Sequence, residues 1–208
     1  MAEGAADVQK QPNPPRGGLK TVAEEGTFDA ERVSEMGMEI RAATVEDVVA
    51  MSRIHACSWK SAYRGIVPQE YLDELREDFW VPCFETGLKA GLLRAQILLE
   101  EGCAVGCASY GKARDSSLPE WGEVLSLYLL PESCGRGYGH KLLDGVLLDL
   151  KGSGYPSVYL WVLEQNSRAR RFYERNGWQN HGDEWVCKIL GQELKELRYA
   201  LSFDGSCR

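Results

Sequence analysis

Residues 127 to 143 read Leu-Tyr-Leu-Leu-Pro-Glu-Ser-Cys-Gly-Arg-Gly-Tyr-Gly-His-Lys-Leu-Leu, an apolar run that passes through glycines into an amphipathic stretch. A strand, a glycine-rich turn and a helix in that order build a cradle for an anion. Gly135, Gly137 and Gly139 can adopt positive φ and carry no side chain, so backbone N–H groups can converge on a phosphate at the positive end of the helix. The spacing excludes two common uses of such a turn. A dinucleotide fingerprint needs G-x-G-x-x-G, but the sixth position is His140 counted from Gly135 and Leu142 counted from Gly137. A nucleoside-triphosphate loop needs Gly-Lys-Ser/Thr, and Gly139 is followed by His140, Lys141 and Leu142. Taken alone, the segment also fits a simple chain reversal.

A second block follows. The strand-like run Ser157 to Leu163 gives way to Glu164-Gln165-Asn166-Ser167 and then to a polar helical stretch ending Tyr173-Glu174-Arg175-Asn176-Gly177-Trp178. Asn166 or Ser167 can cap that helix, and Gly177 stands where a left-handed terminator is expected. With both blocks in view, the chain resembles the GCN5-related N-acetyltransferase family. Gly137 and Gly139 match its acetyl-CoA pyrophosphate motif, Q/R-x-x-G-x-G/A, with Cys134 at the place of the usual Gln or Arg. Asn166, Ala169, Tyr173, Gly177 and Trp178 match its pattern N-x-x-A-x-x-x-Y-x-x-x-G-F/W in full. The resemblance extends from Ile40-Arg41-Ala42 and Trp59 to Pro68 through to the closing strands, about residues 38 to 202.

The resemblance implies acetyl transfer from acetyl-CoA to an amine, which poses two proton problems. An amine of pKa about 10.4 is neutral in roughly one molecule in a few thousand at pH 7, so it must lose a proton before attacking. The departing thiolate must then gain one. Tyr173 is the implied donor; the alternative is that it only packs. Glu123 stands where relatives carry a glutamate that deprotonates the amine through water; the alternative is a solvated strand-end carboxylate. Glu164 and His55 are further candidates for the base. The backbone of Leu127, Tyr128 and Leu129 is expected to pair with the pantetheine arm like an added strand, with Asn166 nearby. Cys134, Gly135, Arg136, Gly137, Tyr138, Gly139 and His140 form the expected phosphate turn, where Arg136 either touches phosphate or is solvated. Trp59 and Tyr63, with Tyr71 and Trp80 near them, are expected to shape the acceptor pocket by cation–π contact or else to pack in the core. An acetyl-cysteine route through Cys134 is disfavoured, because that residue precedes the phosphate turn and would sit far from the thioester.

The elements that must position these residues follow from periodicity and turn chemistry. Thr44 and Asp47 make a capping-box-like helix start, and Val48, Met51, Ile54 and Trp59 give a buried face. Further helices are expected from Gln69 to Leu75 and from about Asp78 to Lys89, where Pro82 complicates the boundary. Leu93 to Leu99 and Ala104 to Tyr110 read as a hairpin, and Lys112 to Glu120 as a polar loop. A strand over Glu123 to Leu130, a helix over Tyr138 to Lys151, a strand over 157 to 163, a helix over 167 to 176 and a hairpin of 184 to 190 with 194 to 202 complete the chain. Together with the resemblance this gives an α/β (α+β) fold, a mixed, mostly antiparallel twisted sheet of six to seven strands with helices on both faces.

At 208 residues the chain can form one sizeable core. The single domain is expected over 38 to 203, between a mobile tail of 1 to 37, in which Pro12, Pro14 and Pro15 cluster, and a short tail of 204 to 208. A net charge of −7 argues against nucleic acid or an acidic membrane surface as main partner and mildly favours a cationic acceptor, small molecule or protein. Seven cysteines with no C-x-x-C pair, and only three histidines, indicate neither zinc site nor disulfide framework, so no metal is expected and reduced thiols in the cytoplasm are the simplest reading. No signal-type or membrane-spanning run is apparent. A homodimer is expected by family analogy alone. The rival from another class is a non-catalytic acyl-CoA-binding module that regulates a partner.

Overall fold

The computed structural model describes residues 37–204, so the expected tail over 1 to 37, apart from Gly37, and residues 205 to 208, Cys207 among them, lie outside it. Strand β1 (Met38–Ala42) leads into helix α1 (Val48–Ala62) through a short 3-10 turn. The Thr44–Asp47 capping box forms, on that turn rather than on the helix proper: Asp47 Oδ2 accepts from the Thr44 N–H at 2.8 Å, and the Thr44 hydroxyl accepts from the Glu46 N–H. Arg41 closes over the same carboxylate with two bonds of 2.8 Å and holds the Asp47 carboxyl below its ordinary range. Helix α1 buries Met51, Ile54 and Trp59, as their spacing requires.

Helices α2 (Gln69–Glu74) and α3 (Val81–Lys89) follow. α3 starts three residues later than Asp78 because Pro82 occupies its first turn, where a missing N–H is tolerated. Strands β2 (Arg94–Glu100) and β3 (Cys103–Lys112) make the expected hairpin, and β4 (Gly122–Leu129) runs into the glycine turn and helix α4 (Tyr138–Gly152). Then come β5 (Ser157–Leu163), α5 (Ser167–Arg175), β6 (Gln179–Ile189) and β7 (Gln192–Ser202). β6 begins five residues before 184. Its first half, Gln179 to Glu184, is exposed and polar along an edge with an irregular register, so no apolar alternation announces it.

The seven strands form one sheet in the order β1-β2-β3-β4-β5-β7-β6, antiparallel except between β4 and β5. Strand alternation on β3 and β4 separates two faces. Cys107 and Ser109 turn toward α1, where the Cys107 thiol reaches the Met51 carbonyl and Ser109 meets Ser126, which in turn meets His55. Tyr110 turns the other way and donates to Asp149 of α4. The mixed, mostly antiparallel sheet with helices on both faces is therefore the architecture present.

The parallel pairing of β4 with β5 is brief. It spans Gly122 with Val158 and Glu123 with Tyr159, after which the two strands part while each continues for several residues. β4 keeps its other neighbour, β3, as far as Leu129, and β5 keeps β7 as far as Leu163. A wedge-shaped gap thus opens in the middle of the sheet. No helix among the described residues is long and apolar enough to cross a membrane.

Candidate active site

The gap leads to the glycine turn. Along β4 beyond Glu123, the backbone edge facing β5 has no strand partner; Tyr128 turns its main-chain groups to Cys107 of β3, whereas Leu127 and Leu129 turn theirs to the open edge, where the Leu129 carbonyl accepts from the Ser58 hydroxyl at 2.5 Å. Gly135 and Gly137 take φ of 82° and 83°, and Gly137 caps α4 in the left-handed region. Gly139 does not share that conformation: it lies inside the first turn of α4, with Phe172 and Leu129 about an ordinary contact away from where a Cβ would stand. The N–H groups from Gly135 to Gly139 make no hydrogen bond among the described residues, so they remain available to an anion at the helix's positive end.

Several expected cofactor side chains are engaged by protein. Arg136 forms a bidentate pair with Glu100 and lies 4.8 Å over the Tyr138 ring, and the Tyr138 hydroxyl donates to the same carboxylate. His140 Nδ1 meets Asn176 Oδ1 at 3.0 Å, tying the start of α4 to the end of α5. The Cys134 thiol, half-buried, is turned to the Leu130 carbonyl at 3.6 Å. Asn166 caps α5, its side-chain oxygen accepting from the Ala169 N–H at 3.1 Å. The turn therefore offers backbone donors first.

On the α1 face of the sheet lies a cavity of about 170 Å³. Trp59, Tyr63, Trp80 and Tyr128 line one part, Trp161 and Leu163 of β5 another, and Glu196 of β7 joins them. The expected acceptor residues Trp59 and Tyr63 are brought together edge to face, with ring centroids 4.8 Å apart, and Trp80 stands 5.4 Å from Trp59. Tyr71 packs behind, 6.2 Å from the Trp59 ring. The Tyr63 and Tyr128 hydroxyls meet at 2.9 Å, and burial raises both above their ordinary range. His55 is enclosed by Trp80, Phe84 and Tyr128, and burial pushes its imidazole down to about 3, so it stays neutral.

Glu123 is not a solvated strand-end carboxylate. It is 1% exposed, and its oxygens accept from the Arg114 backbone N–H at 3.0 Å, from Arg114 Nε at 2.9 Å, from the other end of the same guanidinium, and from the Tyr159 hydroxyl at 2.8 Å. Four donors thus occupy the lone-pair sites of this carboxylate, leaving little room on its oxygens for an incoming ammonium. Glu164 is displaced from the cavity to the surface, where it pairs with Lys195 at 3.8 Å.

Glu196 has the opposite surroundings. It is 9% exposed, and its carboxylate makes no hydrogen bond or ion pair among the described residues. Burial pushes it up to about 7, opposed by the Arg114 charge and assisted by that of Glu123. The sequence held no signal for it: in Leu194-Lys195-Glu196-Leu197-Arg198 it reads as one charge among several on a closing strand. Only the register that sets Glu196 beside Leu163 carries it into the cavity.

Tyr173 comes from α5 and is 9% exposed, its ring against Phe172 at 5.2 Å and Trp178 at 5.8 Å. Its hydroxyl makes no hydrogen bond among the described residues. Burial, with a smaller contribution from Tyr128, raises it well above the usual phenol range, so it keeps its proton at neutral pH. Among the described residues no cluster of His, Cys, Asp and Glu could hold a metal ion.

The sheet is split at its parallel pair, with a glycine-led helix start at the mouth of the split, the arrangement that the family resemblance implies. The model of the acetyltransferase (GNAT) family matches residues 51–178, and the chain belongs to that family. An uncharacterised N-acetyltransferase, YuaI of Bacillus subtilis, is 32% identical over 158 residues, which cover 76% of this chain and 89% of that protein. A spermidine N(1)-acetyltransferase of Thermoplasma acidophilum is 29% identical over 69% of this chain and 89% of its own length. Among solved structures, the PaiA N-acetyltransferase from Thermoplasma acidophilum in complex with coenzyme A superposes with a TM-score of 0.64 at 23% identity, over 81% of this chain and all of that one, a likeness of fold.

Proposed function

We propose that this chain transfers the acetyl group of acetyl-CoA to a primary amine by direct attack in a ternary complex. The observation that carries the reading is the adjacency of three features: unpaired N–H groups at Gly135 to Gly139, an unpaired β4 edge over Leu127 to Leu129, and an aromatic cavity sharing Tyr128 with that edge. The first suits a pyrophosphate, the second the amide-bearing pantetheine arm, and the third an amine. The donor supplies an activated acyl carbon; the protein's residues hold and orient it and manage protons. Tyr173, protonated and without another hydrogen-bond partner among the described residues, is suited to protonate the leaving thiolate. The relative that acts as a spermidine acetyltransferase supports a cationic amine as acceptor class. The unpaired thiols of Cys57, Cys83, Cys103, Cys107, Cys134 and Cys187 fit a reducing compartment such as the cytoplasm.

The test is release of free CoA from acetyl-CoA across a panel of primary amines, spermidine included. Amine-dependent release with formation of the acetylated amine is expected. Tight acetyl-CoA binding with no release on any amine would instead favour the non-catalytic acyl-CoA-binding module.

A further inference from the structure

We propose that Glu196 is the carboxylate that receives the acceptor's ammonium group in the aromatic cavity and takes its proton. The inference rests on the amine-acetylation reading and assigns the base that this reading requires. Two observations carry it. Glu123, at the position expected to act as base, has its oxygens taken up by Arg114 and Tyr159. Glu196, nine-tenths buried, lines the cavity, with no hydrogen bond or ion pair from its carboxylate among the described residues. A buried carboxylate without such partners is costly to keep, and a ligand cation is the compensation that a cavity can admit. The rings of Trp59, Trp80 and Trp161 line the same space and suit the same charge.

The groups that face Glu196 set when it can act. Arg114 favours its ionised form; Glu123 opposes it. Tyr63, Tyr128 and Cys187 lie close enough for its charge to raise them, and His55, also on the cavity wall, is neutral. The carboxylate is therefore poised to change charge near neutrality, where a general base is most effective. Between ammonium and amide the nitrogen loses two protons. The first passes to Glu196 and on to solvent, leaving the nitrogen lone pair to form the C–N bond as the C–S bond breaks. The second restores the Tyr173 hydroxyl after that group has protonated the thiolate. Atoms and charge balance with acetyl-CoA and the ammonium as the only reactants.

Two measurements on the full chain test the proposal: tryptophan fluorescence titrated with spermidine and other primary alkylamines, which needs no turnover, and CoA release followed from pH 5.5 to 9. For the wild type, kcat/KM should rise with pH and level off above about 7, as Glu196 loses its proton. Glu196→Gln should weaken amine binding by roughly tenfold or more, lower kcat/KM by roughly 10²- to 10⁴-fold and abolish the bend near neutrality. Glu196→Asp, which keeps the charge, should recover part of both. Glu196→Gln should also melt no lower than wild type at pH 8, because it removes a buried charge, so lost activity cannot be read as lost fold. Amine affinity and a pH profile unchanged in Glu196→Gln would overturn the proposal. Amine binding that depends on Glu196 without any CoA release would sink the acetyl-transfer reading and leave the ammonium site standing.

Discussion

Tyr173 combines a buried ring with a hydroxyl that no described residue engages, so its two roles can be separated by one atom. Tyr173→Phe keeps the packing on Phe172 and Trp178 and removes the hydroxyl. If that hydroxyl protonates the thiolate, kcat should fall by roughly 10²- to 10⁴-fold with acetyl-CoA affinity and melting temperature little changed. Near-normal turnover in the folded variant would reduce Tyr173 to a packing residue. Tyr173 was legible because it sits in an ordered local pattern with Asn166, Ala169, Gly177 and Trp178. Glu196 was not, because its meaning arises only when β7 lies against β5 and brings one acidic side chain under distant aromatic rings. Glu123 shows the converse: its place along the chain is suggestive, but Arg114, from the loop read only as polar, meets it with three donors.

At the scale of elements, the phosphate turn depends on the backbone more than on side chains. A Cβ on Gly137 would meet nothing within 4 Å, so crowding is not what excludes other residues there; φ of 83° is. Gly137→Val would carry strain of about 1–3 kcal/mol at that position and, in relaxing it, turn the helix N–H groups away from their common focus. Calorimetry should find acetyl-CoA affinity reduced at least tenfold while the circular dichroism of the domain is retained; unchanged affinity would remove the phosphate from this turn. Helices α4 and α5 and strand β5 were legible within a residue or two, since each couples a clear period to a cap or a break. β6 was cut short, because half of it is an exposed polar edge whose pairing partner, not its own composition, makes it a strand.

Across the whole molecule, a mixed, mostly antiparallel sheet with helices on both faces was within reach of the sequence once two motifs carried the family resemblance, whereas the order of its strands comes from the structure. So does the separation of β4 from β5, since it depends on which backbone groups go unpaired. It also affects how stability is shared. Among the described residues, only the strand rungs at Gly122–Val158 and Glu123–Tyr159 pair the backbones of β1–β4 with those of β5–β7, whereas β5 is laddered to β7 along its whole length. The sheet therefore has a seam, reinforced near its closed end by Tyr159 and Arg114 clasping Glu123. Local opening should begin at such a seam, where few backbone bonds must break. Amide hydrogen exchange of the free protein should resolve two cooperative blocks, with β5–β7 exchanging independently of β2–β4. A donor whose pantetheine amides lie along the β4 edge would act as the missing rung, merging the two blocks into one and slowing exchange on both sides. Uniform exchange across the sheet without ligand would show that helix packing alone already joins the halves, and that the gap is a groove in a continuous solid rather than a joint that its substrate closes.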